Sequence, residues 1–144
     1  MKVAIACDHA GFELKEKISK HLKDKGYEIL DLGTDSDAPV DYPVYGKACG
    51  EAVASGKAER GVAVCGSGIG ISIAANKVKG VRCALCTSIE LAKMSRLHND
   101  ANIIALGGRY IDHDLALEMV DVWFDTEAST EERHVNRVNM LNQI

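Results

Sequence analysis

The chain has no long apolar run, and that absence is the first constraint on what it can be. No stretch of its 144 residues approaches the ~20 apolar residues of a membrane-spanning helix. The opening run Met1–Cys7 stops at Asp8, too short for the apolar segment of a secretory leader, so a cytoplasmic chain is expected. Excess positive charge is also missing. The 17 Lys and Arg against 21 Asp and Glu leave a formal charge of -4, which argues against broad nucleic-acid binding. Prolines number only two, Pro39 and Pro43, both in one polar stretch. No repeat, low-complexity tract or linker divides the chain, so residues 1–144 read as a single domain long enough to bury a core.

Five cysteines (Cys7, Cys49, Cys65, Cys83, Cys86) make an odd number, mostly in apolar segments, which favours reduced thiols over a disulfide framework. Cys83 and Cys86 have C-x-x-C spacing, but they fall in the run 81–86, which reads as a strand. Residues three apart on a strand face opposite sides, so this pair reads as core filling. The remaining Cys and His show no metal-ligand spacing, and neither a metal nor a cofactor is expected.

What is present is an alternation of short apolar runs with longer amphipathic ones. Strands are expected at 3–7, 27–32, 61–65, 81–86 and 103–106, and helices at about 11–25, 44–55, 69–78, 88–97 and 112–124. The S-x-x-E sequence from Ser129 to Glu132 predicts a capping box that opens a last helix over about 130–141. Strands separated by helices imply parallel pairing with right-handed crossovers. The expected fold is therefore a single-domain, three-layer α/β/α structure with a Rossmann-like five-stranded parallel sheet. In such sheets ligands bind beyond the strand carboxyl ends where the winding reverses. An order beginning 2-1-3 would set Asp8-His9 against the turn at 65–70, while the order of the fourth and fifth strands stays open.

That turn, Cys65-Gly66-Ser67-Gly68-Ile69-Gly70, joins an apolar strand to a helix. Glycines let a ligand approach the backbone N–H groups, and the helix N-terminus favours an anion there and the thiolate of Cys65. The turn is not a P-loop and misses the G-x-G-x-x-G spacing of dinucleotide folds. On its own it reads equally as a tight connection around a buried thiol. Asp8-His9 could accept and donate protons, or could simply cap a turn. Arg133 and Arg137 lie about 40° apart around the last helix, a fork for phosphate or else a solvated face paired with Glu131 and Glu132. His98-Asn99 offers a histidine for acid–base work on sugar oxygens, or a surface residue at a helix end.

Taken together, the motifs closely resemble the type B ribose-5-phosphate isomerases, a sugar-phosphate isomerase family that includes galactose-6-phosphate and allose-6-phosphate isomerases. The resemblance rests on Cys7 to Phe12, Asp41-Tyr42-Pro43, Cys65 to Lys77, Ser95 to Asn102, Gly107-Gly108-Arg109 and Arg133 to Arg137, and runs essentially end to end. It implies interconversion of D-ribose 5-phosphate and D-ribulose 5-phosphate through a cis-enediolate. Some relatives use the turn Cys as base, while others use a Glu at the position of Ile71; this chain looks like the thiol form. Ser67 stands where many relatives have Thr. By resemblance Cys65 is the base, Ser67 a proton relay and His98 the ring-opening group. Asp8 and Tyr42 lie near the sugar hydroxyls and Asn99 orients the sugar. Gly66, Gly68, Ile69 and Gly70 supply amides, while His9, Arg109, Arg133 and Arg137 hold phosphate. The resemblance also implies a homodimer, or a tetramer of such pairs, with the site shared between subunits and the last helix completing it. Other readings are the same chemistry on a six-carbon sugar phosphate, a non-catalytic phosphate or nucleotide sensor, and a thiol redox protein.

Overall fold

The computed structural model describes residues 1–144. Its strands are β1 (Lys2–Cys7), β2 (Glu28–Asp31), β3 (Arg60–Cys65), β4 (Cys83–Leu85) and β5 (Ile103–Gly107). Its helices are α1 (Phe12–Asp24), α2 (Tyr42–Ala54), α3 (Ile69–Asn76), α4 (Ile89–Asn99), α5 (His113–Asp125) and α6 (Glu132–Asn142). All strands pair in parallel, in the order β2-β1-β3-β5-β4. The expected beginning 2-1-3 is present, and β4 takes the edge beyond β5.

Strand alternation divides the core by face. Val3, Ile5, Val62, Val64, Ile104 and Leu106 meet α1, α4 and α5 on one side. Ala4, Ala6, Ala63, Cys65, Ile103 and Ala105 meet α2 and α3 on the other. The second face is built of small residues, and α2 meets α3 closely through its own glycines. A Cβ at Gly46 would stand 2.8 Å from Ala74 Cβ, and one at Gly50 would stand 2.9 Å from Val78 Cγ2. Cys65 thus points toward the layer from which the ligand-facing ends of α2 and α3 emerge.

Two expectations need correction. β4 is far shorter than the run 81–86, because Arg82 turns aside and donates to the main-chain oxygens of Asn99 and Asp100. Cys83 and Cys86 nonetheless point to opposite faces, as alternation requires. The capping box does not form either. Glu131 is the N-cap of α6, and the Ser129 hydroxyl accepts from the Glu131 N–H two residues on, a local turn that replaces the cap.

Candidate active site

β3 ends at Cys65, and the chain turns at once into α3. Gly68 carries φ of 79°, the left-handed region that glycine enters without a Cβ penalty. The turn brings the Gly68 N–H within 3.1 Å of Cys65 Sγ, so the sulfur accepts a main-chain hydrogen bond. Ser67 Oγ accepts from the Ile69 N–H at 3.2 Å, which leaves its own hydrogen free to donate. The amides of Gly66, Ser67 and Gly70 have no partner in the chain, as the opening of a helix allows. Gly68 and Ile69 depart from expectation: the Gly68 N–H is taken by sulfur and the Ile69 N–H by the Ser67 hydroxyl, so neither is offered to a ligand.

The loop after β5 is zipped to this turn. Gly108 N–H donates to the Cys65 carbonyl at 2.8 Å and Arg109 N–H to that of Gly66 at 3.0 Å. His113 fixes the same loop from behind, with Nε2 2.9 Å from the Gly108 oxygen. The Arg109 side chain lies along Gly66 and has no ion pair or hydrogen bond within the chain.

Asp8 and His9 follow β1 across the cleft. Asp8 is 6% exposed, and Oδ1 accepts from the Gly11 N–H at 3.0 Å. His9 Nδ1 accepts from the Val40 N–H at 3.1 Å. Tyr42 opens α2 and sets its ring against Gly70, where a Cβ would stand 2.5 Å from Cε1. Asp8, His9, Tyr42, Cys65, Ser67 and Arg109 border one open cavity of about 460 Å³, also lined by Ile69 and Gly70. It lies between β1 and β3, where the winding reverses.

The remaining candidates are elsewhere. Cys65 stands opposite Gly107 in register, and Ile103 opposite Gly61, so β5 separates its two ends by about 13 Å. His98 and Asn99 end α4 and lead into the Ile103 end, the opposite pole of the sheet from Cys65. There His98 lines a smaller cavity of about 180 Å³ between α4 and α6. Its ring stacks on that of His134, with centroids 4.3 Å apart and planes at 9°. Burial, then the positive groups of His98, Arg133 and Arg137, hold His134 below the usual histidine range, against an opposing pull from Glu131. Arg133 and Arg137 are exposed on α6. Arg133 Nε lies 3.0 Å from Glu131 Oε2, whereas Arg137 has no partner. His134 was given no role from sequence, although its place between the two arginines is a signal that could have found it.

No group of three or more His, Cys, Asp or Glu side chains is arranged to hold a metal ion. No helix is long and apolar enough to cross a membrane. The cleft therefore offers a sulfur beside free amides, a carboxylate, an imidazole and an unpaired guanidinium, a set suited to moving a proton on an anionic substrate.

Comparison with known proteins agrees with that chemistry. Ribose-5-phosphate isomerase B of Escherichia coli is 43% identical over 99% of this chain and 95% of its own length. The structure of ribose-5-phosphate isomerase B from Clostridium thermocellum matches with a TM-score of 0.96 at 50% identity, over 99% of this chain and 96% of that one. That of Mycoplasma genitalium, solved with bound ribulose-5-phosphate, matches with a TM-score of 0.93 at 35% identity, over 99% and 94%. The profile described as Ribose/Galactose Isomerase covers residues 3–141, and the chain belongs to that family.

Proposed function

We propose that this protein is an aldose–ketose isomerase that interconverts D-ribose 5-phosphate and D-ribulose 5-phosphate. The observation that carries the reading is Cys65 Sγ at the cleft, held by the Gly68 N–H at 3.1 Å beside unpartnered amides. In this scheme the Cys65 thiolate takes the C2 proton of the open-chain aldose and returns it to C1. The C2–H electrons pass into a cis-enediolate, whose oxygen meets the amides of Gly66, Ser67 and Gly70. Each such donor contributes roughly 3 kcal/mol in comparable holes. Ser67 carries the proton between O1 and O2. Asp8 and Tyr42 hold sugar hydroxyls, and His9 and Arg109 meet the phosphate.

His98, with Asn99, opens the furanose ring, and Arg133 and Arg137 complete the phosphate site. The roughly 13 Å of β5 between the two poles argues against both sets acting on one sugar within one chain. A second copy supplies them, so the active form is a homodimer or a tetramer of such pairs, with α6 reaching the partner's cleft. Val135, Met140 and Leu141 leave apolar side chains exposed on α6, surface that such a contact would cover. Cytoplasmic residence fits five unpaired thiols.

The test is to supply ribose 5-phosphate beside a panel of hexose 6-phosphates and detect ketose. Ribulose 5-phosphate should form fastest, and Cys65→Ala should abolish turnover while a phosphorylated inhibitor still binds. Faster turnover of a hexose would move the substrate to the six-carbon branch of the family. Normal activity in Cys65→Ala would remove the base. Mixing inactive Cys65→Ala with inactive His98→Asn should restore activity through hybrids carrying one intact site. No recovery after verified subunit exchange would refute the shared site.

A further inference from the structure

The hydrogen bond between Val40 and His9 joins residues 31 apart in sequence and is not needed to build any strand or helix. The donor is a main-chain N–H, which cannot reverse its polarity. His9 Nδ1 must therefore be the acceptor and carry no proton. A neutral imidazole has one protonated nitrogen, so in that form its hydrogen sits on Nε2. His9 Nε2 has no partner in the chain, and the ring borders both the Cys65 cavity and the adjoining cavity of about 620 Å³. Turning the ring over would put a carbon against the Val40 N–H and leave that part-buried donor unpaired.

We propose that the main-chain N–H of Val40 is a positioning group for the isomerase. It fixes His9 as the Nε2–H tautomer and aims that hydrogen at the substrate phosphate. This rests on the reading above, in which His9 meets the phosphate. His9 then recognises phosphate as a directed hydrogen-bond donor rather than as a second unit charge, and Arg109 supplies the charge on this side. The link also runs the other way along the chain. Val40 lies two residues before Tyr42, so one loop sets both the phosphate donor and the ring that covers Gly70.

The test uses the whole protein labelled with 15N in histidine, at about pH 8, above the ordinary histidine range. His9 signals are assigned by their loss in His9→Asn. A pyridine-type Nδ1 and a pyrrole-type Nε2 are expected, and inorganic phosphate should move the Nε2 signal more than Nδ1. Val40→Ala keeps the N–H and should retain that signature. Val40→Pro removes it, and should mix the tautomers and raise KM for ribose 5-phosphate roughly 2- to 10-fold above that of Val40→Ala, the worth of one hydrogen bond.

A pyrrole-type Nδ1 in the unaltered protein overturns the proposal, and that spectrum decides the matter even if Val40→Pro does not fold. Equal KM in folded Val40→Pro and Val40→Ala overturns it as well. A separate result would sink the underlying reading instead: phosphate leaves both His9 nitrogens unmoved and His9→Asn leaves KM unchanged.

Discussion

Gly70→Ala separates the folding role of the glycine turn from its role in the cleft. Gly70 is the second residue of α3, and its φ is not in the left-handed region, so the backbone accepts alanine. What alanine meets is Tyr42. An ideal Cβ would stand 2.5 Å from Cε1, 2.6 Å from Cζ and 3.0 Å from Cδ1. Carbon atoms rest about 3.5–4.0 Å apart, so the ring must retreat by ~1 Å or more. Tyr42 is 42% exposed and can swing outward without disturbing the core. Replacing glycine by alanine in a helix gains up to ~1 kcal/mol, which for a domain of this size raises Tm by up to ~4 °C. Moving a substrate-positioning group by ~1 Å costs up to ~100-fold in kcat/KM, or about 2.7 kcal/mol. The expected variant is thus at least as stable as the parent and 10- to 100-fold less active, to order of magnitude. Thermal melts and ketose formation from ribose 5-phosphate measure the two sides. Tyr42→Ala should absorb the effect, so adding Gly70→Ala to it costs little more. An undiminished penalty in that background, or a fall in Tm by several degrees, would refute the reasoning.

Gly68→Ala should instead unfold the turn. Its φ is 79° and a Cβ would stand 2.6 Å from Leu85 Cδ1 and 2.9 Å from the Leu106 carbonyl carbon, so about 2–5 kcal/mol should be lost in urea unfolding; a loss below about 1 kcal/mol contradicts this. Alkylation with iodoacetamide near neutral pH should modify Cys65 first and be slowed by ribose 5-phosphate. Burial pushes Cys7 and Cys49 up to about 12 and also raises Cys83 and Cys86, and mass spectrometry showing prior labelling of any of these four would count against it. Because burial and neighbouring cations hold folded His134 below its unfolded value, the unfolded chain binds the proton more readily. Its contribution to stability is therefore full above about pH 6.5 and is lost as the pH falls through and below that range. His134→Phe should flatten this part of the urea-stability profile between about pH 7 and 5, and an unchanged slope would show that the titration belongs elsewhere.

The parallel sheet, the reversal between β1 and β3, and the meeting of Asp8-His9 with the Cys65 turn were legible because each rests on local pattern plus the crossover rule. Side-chain alternation also assigned Cys83 and Cys86 to opposite faces. The order of β4 and β5 was not legible, since right-handed crossovers build either arrangement and β4 holds only three residues. Charge misled in the interior. Lysine is a residue type that is almost never fully buried unless paired, and the Lys15 side chain is only 1% exposed because Asp31 and Glu16 stand 2.9 Å from Nζ and pair it there. Arg60 and Arg96 are buried for a similar reason, since they bond main-chain carbonyls that α5 and the end of α4 leave free. No linear pattern announces such long-range partners. The Val40–His9 bond is of the same kind.

The element order alone separates two groups of candidate site residues. Helices that connect parallel strands run back against them, so a residue closing a helix lies at the end of the sheet where the next strand begins. His98 and Asn99 precede β5, while Cys65 follows β3, and this order alone sets them at opposite poles. Each pole is chemically incomplete for isomerising a cyclic sugar phosphate. The Cys65 cleft has a thiol and amides but a single guanidinium, Arg109, and no second histidine. The α4–α6 cavity has a stacked histidine pair, and α6 carries two exposed arginines, but neither brings a thiol or glycine turn. Complementary halves at opposite poles of one chain favour a partner arrangement in which each copy lends what the other lacks. That is why exchange between Cys65→Ala and His98→Asn subunits, rather than either variant alone, tests the proposed enzyme at its weakest joint.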